Sequence, residues 1–274
     1  MNLINVHGVR LEVAHIPGDE SLAPLVFLHE GLGSVSLWTQ RGQSWPEALC
    51  KATGRTGWLY SRRGYGQSDP VADVRGEPRM QGFWHIGRHE PDYMHREALD
   101  VLPALLRELG IQRPLLVGHS DGATIALLHA SEHPVQACAV LAPHVFVEDV
   151  SVEAIARARD AYLQDPDNPA SLRQRLARHH RDVDNAFWQW NDVWLSEAFR
   201  RYNIERECAA IRCPLLLVQG KDDEYGTLAQ LDAIQRAAPH AERHDLPDCG
   251  HSPHRDQPHA LTELLQQFVT KHAI

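Results

Sequence analysis

The chain has 274 residues, of which 43% are hydrophobic and 23% are charged. These proportions exclude a disordered or fibrous protein, and the length suits one large α/β domain with an insertion. The formal charge of -9, with no run of basic residues, argues against binding to nucleic acid or to acidic membranes. We therefore expect a small-molecule partner, with no nucleic acid and no membrane, and we leave a homodimer open.

The five cysteines form no Cys-x-x-Cys pair, which predicts reduced thiols rather than disulfides or a thiolate zinc site. The amino terminus does not resemble a signal peptide, and no apolar stretch approaches the roughly 18 to 20 residues of a membrane span. We expect a cytoplasmic protein. Adjacent histidines such as His179 and His180 point about 100° apart on a helix, and no Gly-x-Gly-x-x-Gly phosphate loop occurs. We therefore expect no metal and no cofactor.

The first half of the chain alternates strands with helices. The predicted elements are, in chain order, a hairpin over 3–6 and 10–16, strands at 25–28 and 57–61, a helix over 97–109, a strand at 115–117, a helix over 123–131 and a strand at 138–141. Pro103 is expected either to cost the helix in which it lies a turn or to kink it. The alternation is typical of a mostly parallel, doubly wound sheet.

The alternation of strands and helices stops after residue 141. Residues 144–206 have a helical and polar pattern, with a cluster of aromatic side chains between Phe187 and Tyr202. The strand and helix alternation then resumes, with predicted elements at 215–218, 227–237, 242–246 and 259–268. We therefore predict an α/β core over 1–143 and 207–274, and a helical cap over 144–206 inserted after the sixth strand.

The sequence Gly-His-Ser-Asp-Gly at 118–122 follows an apolar strand and opens a helix. A serine hydroxyl is a poor nucleophile in water, so a protein that uses one exposes its oxygen on a sharp turn beside a base. Gly118 and Gly122 lack a Cβ and allow strand and helix to approach closely around such a turn. The pattern predicts a nucleophile elbow at Ser120, and the alternative is a glycine-rich turn with an incidental serine.

A serine nucleophile needs a base to take its proton and a carboxylate to hold that base in place. Asp223 follows one predicted core strand and His251 follows another. Both are expected at the carboxyl ends of parallel strands, where Ser120 also lies and where open α/β sheets place their sites. Asp222 is the alternative for the carboxylate.

These motifs together resemble the α/β-hydrolase superfamily, which orders its triad as serine, acid and histidine. Residues 27–34 are similar to its His-Gly-x-x-Gly-Ser loop, with Glu30 in place of a glycine. Residues 61–68 resemble its Asp-x-Arg-Gly-x-Gly-x-Ser turn, with Ser61 in place of the aspartate, and residues 250–258 resemble its Gly-His-x-Pro-x-x-Glu-x-Pro segment. The resemblance covers the chain outside the cap and implies an α/β-hydrolase fold with a mostly parallel sheet of about eight strands.

The resemblance also implies roles for individual residues. The family's acid falls three residues past a glycine, which favours Asp223 over Asp222. Two backbone N–H groups are implied to stabilise the oxyanion, one from the residue after the nucleophile and one from the loop after the third strand. We assign these donors to Asp121 and Gly31, with Leu32 as the alternative to Gly31.

Two acidic side chains near the predicted site have roles of their own. We expect Glu30 to form a structural salt bridge with one of the neighbouring arginines, and the alternative is that it binds a substrate hydroxyl. Asp121 begins the elbow helix, where the helix dipole favours negative charge, so the simplest role of its side chain is to cap the helix.

The aromatic residues of the cap pack it onto the core, line the cleft between cap and core, or do both. Trp188, Trp190 and Trp194 cannot all face one way on a single helix, so some are expected to line the cleft, where apolar ligands bind. We take Leu32, His119 and these three tryptophans as candidate substrate-binding residues, and expect a small to medium apolar or aromatic substrate.

The leading hypothesis from the sequence is a capped serine hydrolase that cleaves a carboxylic ester or thioester through an acyl-enzyme. The serine at position 120 argues against haloalkane dehalogenases and epoxide hydrolases, relatives in which an aspartate forms an alkyl-enzyme. Two alternatives stay open. One is a C–C bond hydrolase of an aromatic-ring meta-cleavage product, and the other is a non-catalytic ligand-binding protein on the same fold.

Overall fold

The computed structural model describes residues 2–274, and an eight-stranded sheet forms its centre. Its strands are β1 (Asn2–Val6), β2 (Val9–Ile16), β3 (Leu25–Leu28), β4 (Gly57–Ser61), β5 (Leu115–His119), β6 (Ala137–Leu141), β7 (Leu215–Gly220) and β8 (Glu242–Leu246). They lie in the order β1-β2-β4-β3-β5-β6-β7-β8. The two pairs that involve β2 are antiparallel and the others are parallel. The predicted mostly parallel sheet is confirmed.

Helices cover the sheet and fill the segment between β6 and β7. They are α1 (Trp45–Thr53), α2 (Tyr93–Arg96), α3 (Leu102–Glu108), α4 (Asp121–Glu132), α5 (Asp149–Leu163), α6 (Leu172–Ala177), α7 (Val183–Trp194), α8 (Glu205–Cys208), α9 (Ala229–Ala237), α10 (Pro253–Asp256) and α11 (Pro258–Lys271). Short 3₁₀ turns occur at Val35–Trp38 and Phe199–Arg201. The α5, α6 and α7 helices lie between β6 and β7, in the segment predicted to be a helical cap, and this segment is called the cap below.

The central strands are buried throughout because helices cover both faces of the sheet. Alternate residues of a strand point to opposite faces. Leu116 packs with α4 on one face, whereas Leu115 and Val117 pack with α1 and α11 on the other. The parallel strands β5, β7 and β8 end at the same edge of the sheet, and the turns that follow them carry the candidate site.

The helix predicted to begin at Glu97 extends further than expected. The chain is already helical from Tyr93, and a π-helical turn over Glu97–Val101 joins α2 to α3. Pro103 is the second residue of α3. Proline has no N–H to donate to the preceding turn, and the wider turn directly before it accommodates the missing hydrogen bond.

All five cysteines are free thiols, as the spacing predicted, and only Cys213 is not fully buried. Within residues 2–274, no helix combines the length and the apolar character that crossing a membrane requires.

Candidate active site

Ser120 lies on the sharp turn between β5 and α4, with φ +53° and ψ -120°. A positive φ is unfavourable for a residue with a side chain, so the surrounding structure must hold it. A Cβ on Gly118 would lie 2.3 Å from the carbonyl oxygen of Gly122, and one on Gly122 would lie 2.1 Å from that of Leu28. Both glycines are therefore required by close backbone contacts around Ser120.

The turns after β7 and β8 bring Asp223 and His251 together. Nδ1 of His251 lies 2.9 Å from Oδ1 of Asp223. The carboxylate is held from two further sides, because Gln219 Nε2 donates to Oδ2 at 3.0 Å and the N–H of Tyr225 donates to Oδ1 at 2.8 Å. An ionised carboxylate only accepts hydrogen bonds, so Asp223 fixes the proton of His251 on Nδ1 and leaves Nε2 as the basic nitrogen.

The same contact shifts both pKa values. Burial lowers the pKa of His251, but the hydrogen bond and charge of Asp223 more than offset this and raise it above the ordinary 6.5. Burial raises the pKa of Asp223, but the partner imidazole lowers it to below 3.8. Asp222, the alternative acid, is exposed, and its backbone N–H donates to the carbonyl of Cys249. The structure thus brings Asp223, and not Asp222, to His251.

A cavity of about 270 Å³ lies between the strand ends and the cap. Its wall includes Ser120, Asp121 and His251 from the core. Within residues 2–274, the Ser120 hydroxyl has no hydrogen-bond partner and the His251 ring bonds through Nδ1 alone. In ligand-free hydrolases the bond between nucleophile and base is often long and tightens when substrate binds.

The two assigned oxyanion donors lie on this cavity wall. Gly31 and Asp121 both line it, and in the described chain neither backbone N–H donates to a carbonyl group. A Cβ on Gly31 would lie 2.2 Å from Nε1 of Trp190, so the indole of α7 packs directly on the backbone of the loop. Leu32, the alternative donor, also lines the cavity.

The expected salt bridge of Glu30 is confirmed, and its partner is a distant arginine. Nη2 of Arg255 lies 2.6 Å from Oε1 of Glu30, and Nδ1 of His119 lies 3.3 Å from Oε2. Burial alone would raise the pKa of Glu30, but the charge of Arg255, with smaller contributions from neighbouring histidines, holds it well below its ordinary 4.5. Arg62, which is nearer to Glu30 in the sequence than Arg255 is, donates instead to the backbone carbonyls of residues 29 and 30. The bridge therefore ties the loop after β3 to the segment that carries His251.

The prediction that the Asp121 side chain caps the elbow helix is wrong. Asp121 is the first helical residue, and its Oδ2 accepts a 2.6 Å hydrogen bond from the hydroxyl of Tyr93. That hydroxyl accepts in turn from Nε1 of Trp194 at 3.0 Å, so its single proton must point to Asp121. Burial raises the pKa of Asp121, whereas Arg62 lowers it. This carboxylate links the elbow to the cap.

Three of the five candidate substrate-binding residues line the cavity, namely Leu32, Trp190 and Trp194. The expectation for Trp188 is corrected, because its ring packs against the Arg75 guanidinium, 3.9 Å from the ring centroid, and is absent from the cavity wall. Two helical positions turn a side chain by about 200°, which directs Trp188 and Trp190 to nearly opposite sides of α7.

The expectation for His119 is corrected as well. Its ring is 1% exposed, and its Nε2 lies 2.7 Å from the carbonyl oxygen of His251. Its other nitrogen faces Glu30. With both nitrogens occupied by protein groups, His119 supports the backbone of His251 and has no free group for a substrate.

Sequence reasoning missed five polar residues of the cavity wall. They are His144, Glu224, Tyr225, Ser252 and Arg255. His144 follows the end of β6, so the rule that sites lie at the carboxyl ends of parallel strands was a signal that could have found it. Among the described residues, no group of three or more His, Cys, Asp or Glu side chains is arranged to hold a metal ion.

A model of the alpha/beta hydrolase family matches residues 25–264. The chain belongs to this family. It is 24% identical to the sn-1-specific diacylglycerol lipase ABHD11 of Mus musculus, over 93% of this chain and 83% of that protein. It is 27% identical to the esterase Rv0045c of Mycobacterium tuberculosis, over 72% of this chain and 76% of that protein.

Solved structures show the same fold. The enol-lactonase from Burkholderia xenovorans LB400 is 20% identical and superimposes with a TM-score of 0.69, covering 98% of this chain and 100% of that one. The family match and the names of the relatives together support a hydrolase of the α/β type.

Proposed function

We propose that this protein is a serine hydrolase that cleaves a carboxylic ester or thioester of a small to medium apolar or aromatic substrate. The observation that carries the proposal is the 2.9 Å contact between Asp223 and His251, because His251 lines the same cavity as Ser120. Ser120 is the nucleophile, His251 the general base and Asp223 the residue that orients the base. The names of the lipase and esterase relatives support the same class of reaction.

The reaction follows from the positions of the protons. Nε2 of His251 takes the hydroxyl proton as Ser120 Oγ bonds to the substrate carbonyl carbon, and the carbonyl oxygen becomes an oxyanion. The backbone N–H groups of Gly31 and Asp121 stabilise this oxyanion. His251 then gives its proton to the leaving group as the carbonyl carbon separates from it, and water hydrolyses the acyl-enzyme by the same steps.

The substrate class is proposed from the cap side of the cavity. That wall is aromatic and aliphatic, with side chains from α5, α6 and α7; they are Ile155, Leu176, Trp190 and Trp194. Leu32 and Leu37 extend the apolar surface on the core side. An apolar acyl group buried here gains about 25 cal/mol for each Å² that it removes from water.

Labelling with a fluorophosphonate, followed by a panel of acetate, butyrate, octanoate and benzoate esters, tests the proposal. We expect covalent labelling of Ser120 and kcat/KM values that rise from acetate to the larger acyl groups. A marked preference for acetate contradicts the apolar acyl site. Assays on ring-fission products in the same series examine the C–C hydrolase alternative, which gains support if these products are cleaved and the esters are not.

A further inference from the structure

His144 is a buried histidine in the candidate active site that the triad does not use. It follows the end of β6, is 3% exposed and lines the cavity together with Ser120. Its backbone is clamped to the elbow helix, because Thr124 Oγ1 donates to the His144 carbonyl at 2.7 Å and accepts from its N–H at 3.1 Å. These hydrogen bonds fix the backbone of His144, and with it the position of the imidazole, relative to the helix that begins directly after Ser120.

The ring lies between the base and the cap. Its centroid is 5.6 Å from that of His251 and 5.1 Å from that of Trp194, which it meets edge to face. The leaving group of an acyl-transfer reaction must sit beside the base, since the base delivers a proton to it. His144 is thus placed on the side of the cavity where the leaving group binds.

The two nitrogens of His144 differ in their surroundings. Nδ1 is shut off from solvent and has no hydrogen-bond partner within residues 2–274, whereas Nε2 is not shut off. Burial lowers the pKa of His144 to about 3, so the ring is neutral wherever His251 acts as a base. A buried N–H without a partner is rarer in proteins than a buried acceptor without one. The proton of the neutral ring therefore belongs on Nε2, the accessible nitrogen of a ring that lines the cavity.

We propose that Nε2–H of His144 donates a hydrogen bond to the leaving-group oxygen of the substrate, and that this makes the protein selective for oxygen esters over thioesters. The inference rests on the proposed function and narrows its substrate class. An ester oxygen accepts a hydrogen bond, whereas thioether-type sulfur is a weak acceptor. His144 keeps its proton throughout, and the proton that the leaving group takes up comes from His251.

The test compares a matched pair of substrates that share the acyl group preferred in the panel, one as its ethyl ester and the other as its S-ethyl thioester. Wild-type protein is expected to have the higher kcat/KM for the oxygen ester. His144→Phe keeps a ring of similar size against Trp194 but removes the donor. It should lower kcat/KM for the oxygen ester about tenfold and leave the thioester value within about twofold.

His144→Gln supplies an amide donor and should recover part of the lost selectivity, which a merely space-filling residue would not do. His144→Leu replaces the Phe variant if that variant does not fold, as judged by thermal unfolding. Equal losses on both substrates indicate a packing role and overturn the inference, as does an unchanged ratio in every variant. Fluorophosphonate labelling distinguishes a failure of this inference from a failure of the proposed function. If wild-type Ser120 is not labelled, the proposed function itself fails.

Discussion

The two sides of the cavity are held in place by different forces. On the core side, Ser120, Asp223 and His251 each follow a parallel strand and are fixed by backbone contacts or hydrogen bonds. On the cap side, Trp190 and Trp194 project from α7 and are held by packing, with one indole hydrogen bond to Tyr93. The proposed catalytic residues are therefore attached to the sheet, while the shape of the proposed substrate site depends on how one helix is rotated against the core.

The largest effect that distinguishes the two sides is expected from Ser120→Ala. Without the hydroxyl, no acyl-enzyme forms, and kcat should fall by about 10⁴ to 10⁶. The matched control is Ser252→Ala, which removes a second serine hydroxyl from the wall of the same cavity and should change kcat by less than about threefold. Steady-state kinetics on the preferred ester measures both variants. Substantial turnover by the Ser120 variant would show that Ser120 is not the nucleophile.

Asp223→Asn should be the next most severe change on the core side. An amide at this position can donate to Nδ1 of His251 and so favours the wrong tautomer, which costs about 10⁴ in kcat in a comparable triad. Asp222→Asn is the control, since the Asp222 side chain is exposed and a surface substitution has little effect. If the two variants behave in the reverse way, the acid is residue 222 and the contact seen at His251 is structural.

The pH dependence of kcat/KM reports the base. In the proposed mechanism His251 must be neutral to take the proton of Ser120, and its pKa lies above the ordinary 6.5 because Asp223 stabilises the charged ring. Activity should therefore fall as the pH drops, with the acidic limb at a higher pH than an unperturbed histidine gives. The charges of Glu30 and Glu224 also raise the pKa of His251. A pH-rate profile from 4 to 9 measures the limb, and a flat profile down to pH 4 rules out a histidine base.

The sequence predicts the core side of the cavity better than the cap side. The buried strands and the glycines at 118 and 122 leave local signals, so the sheet and the elbow region were predictable. The rotation of α7 leaves none, because it is set by contacts with the core, such as that of Trp190 with Gly31. For this reason Trp188 was wrongly expected in the cavity. His119 was misplaced because its partners Glu30 and His251 come from distant parts of the chain.

On the cap side, Trp190→Ala should reduce kcat/KM for the larger acyl esters about tenfold, because part of the apolar wall is lost. The effect on acetate should be smaller, since a short acyl group covers less of that wall. Trp188→Ala is the matched control from the same helix, because its indole packs against Arg75 outside the cavity. Equal losses in the two variants would mean that both act through the folding of the cap. The proposal that Trp190 contacts the acyl group and Trp188 does not would then be wrong.

The smallest effect is expected from the ion pair of Glu30 and Arg255, which joins the loop after β3 to the segment that carries His251. Glu30→Gln leaves Arg255 without its charged partner, and we expect the free energy of unfolding to fall by about 1 to 3 kcal/mol, between the values for exposed and buried pairs. Because the pKa of Glu30 lies below its ordinary 4.5, its contribution is present above that pH and is lost as the pH falls through the folded-state value. The difference in stability between wild type and variant should therefore shrink in acid. Urea unfolding at pH 7, and in steps from pH 4.5 down to the lowest pH at which both proteins stay folded, measures it, with the exposed Glu20→Gln as control. A pH-independent difference would indicate that Glu30 acts through its shape alone.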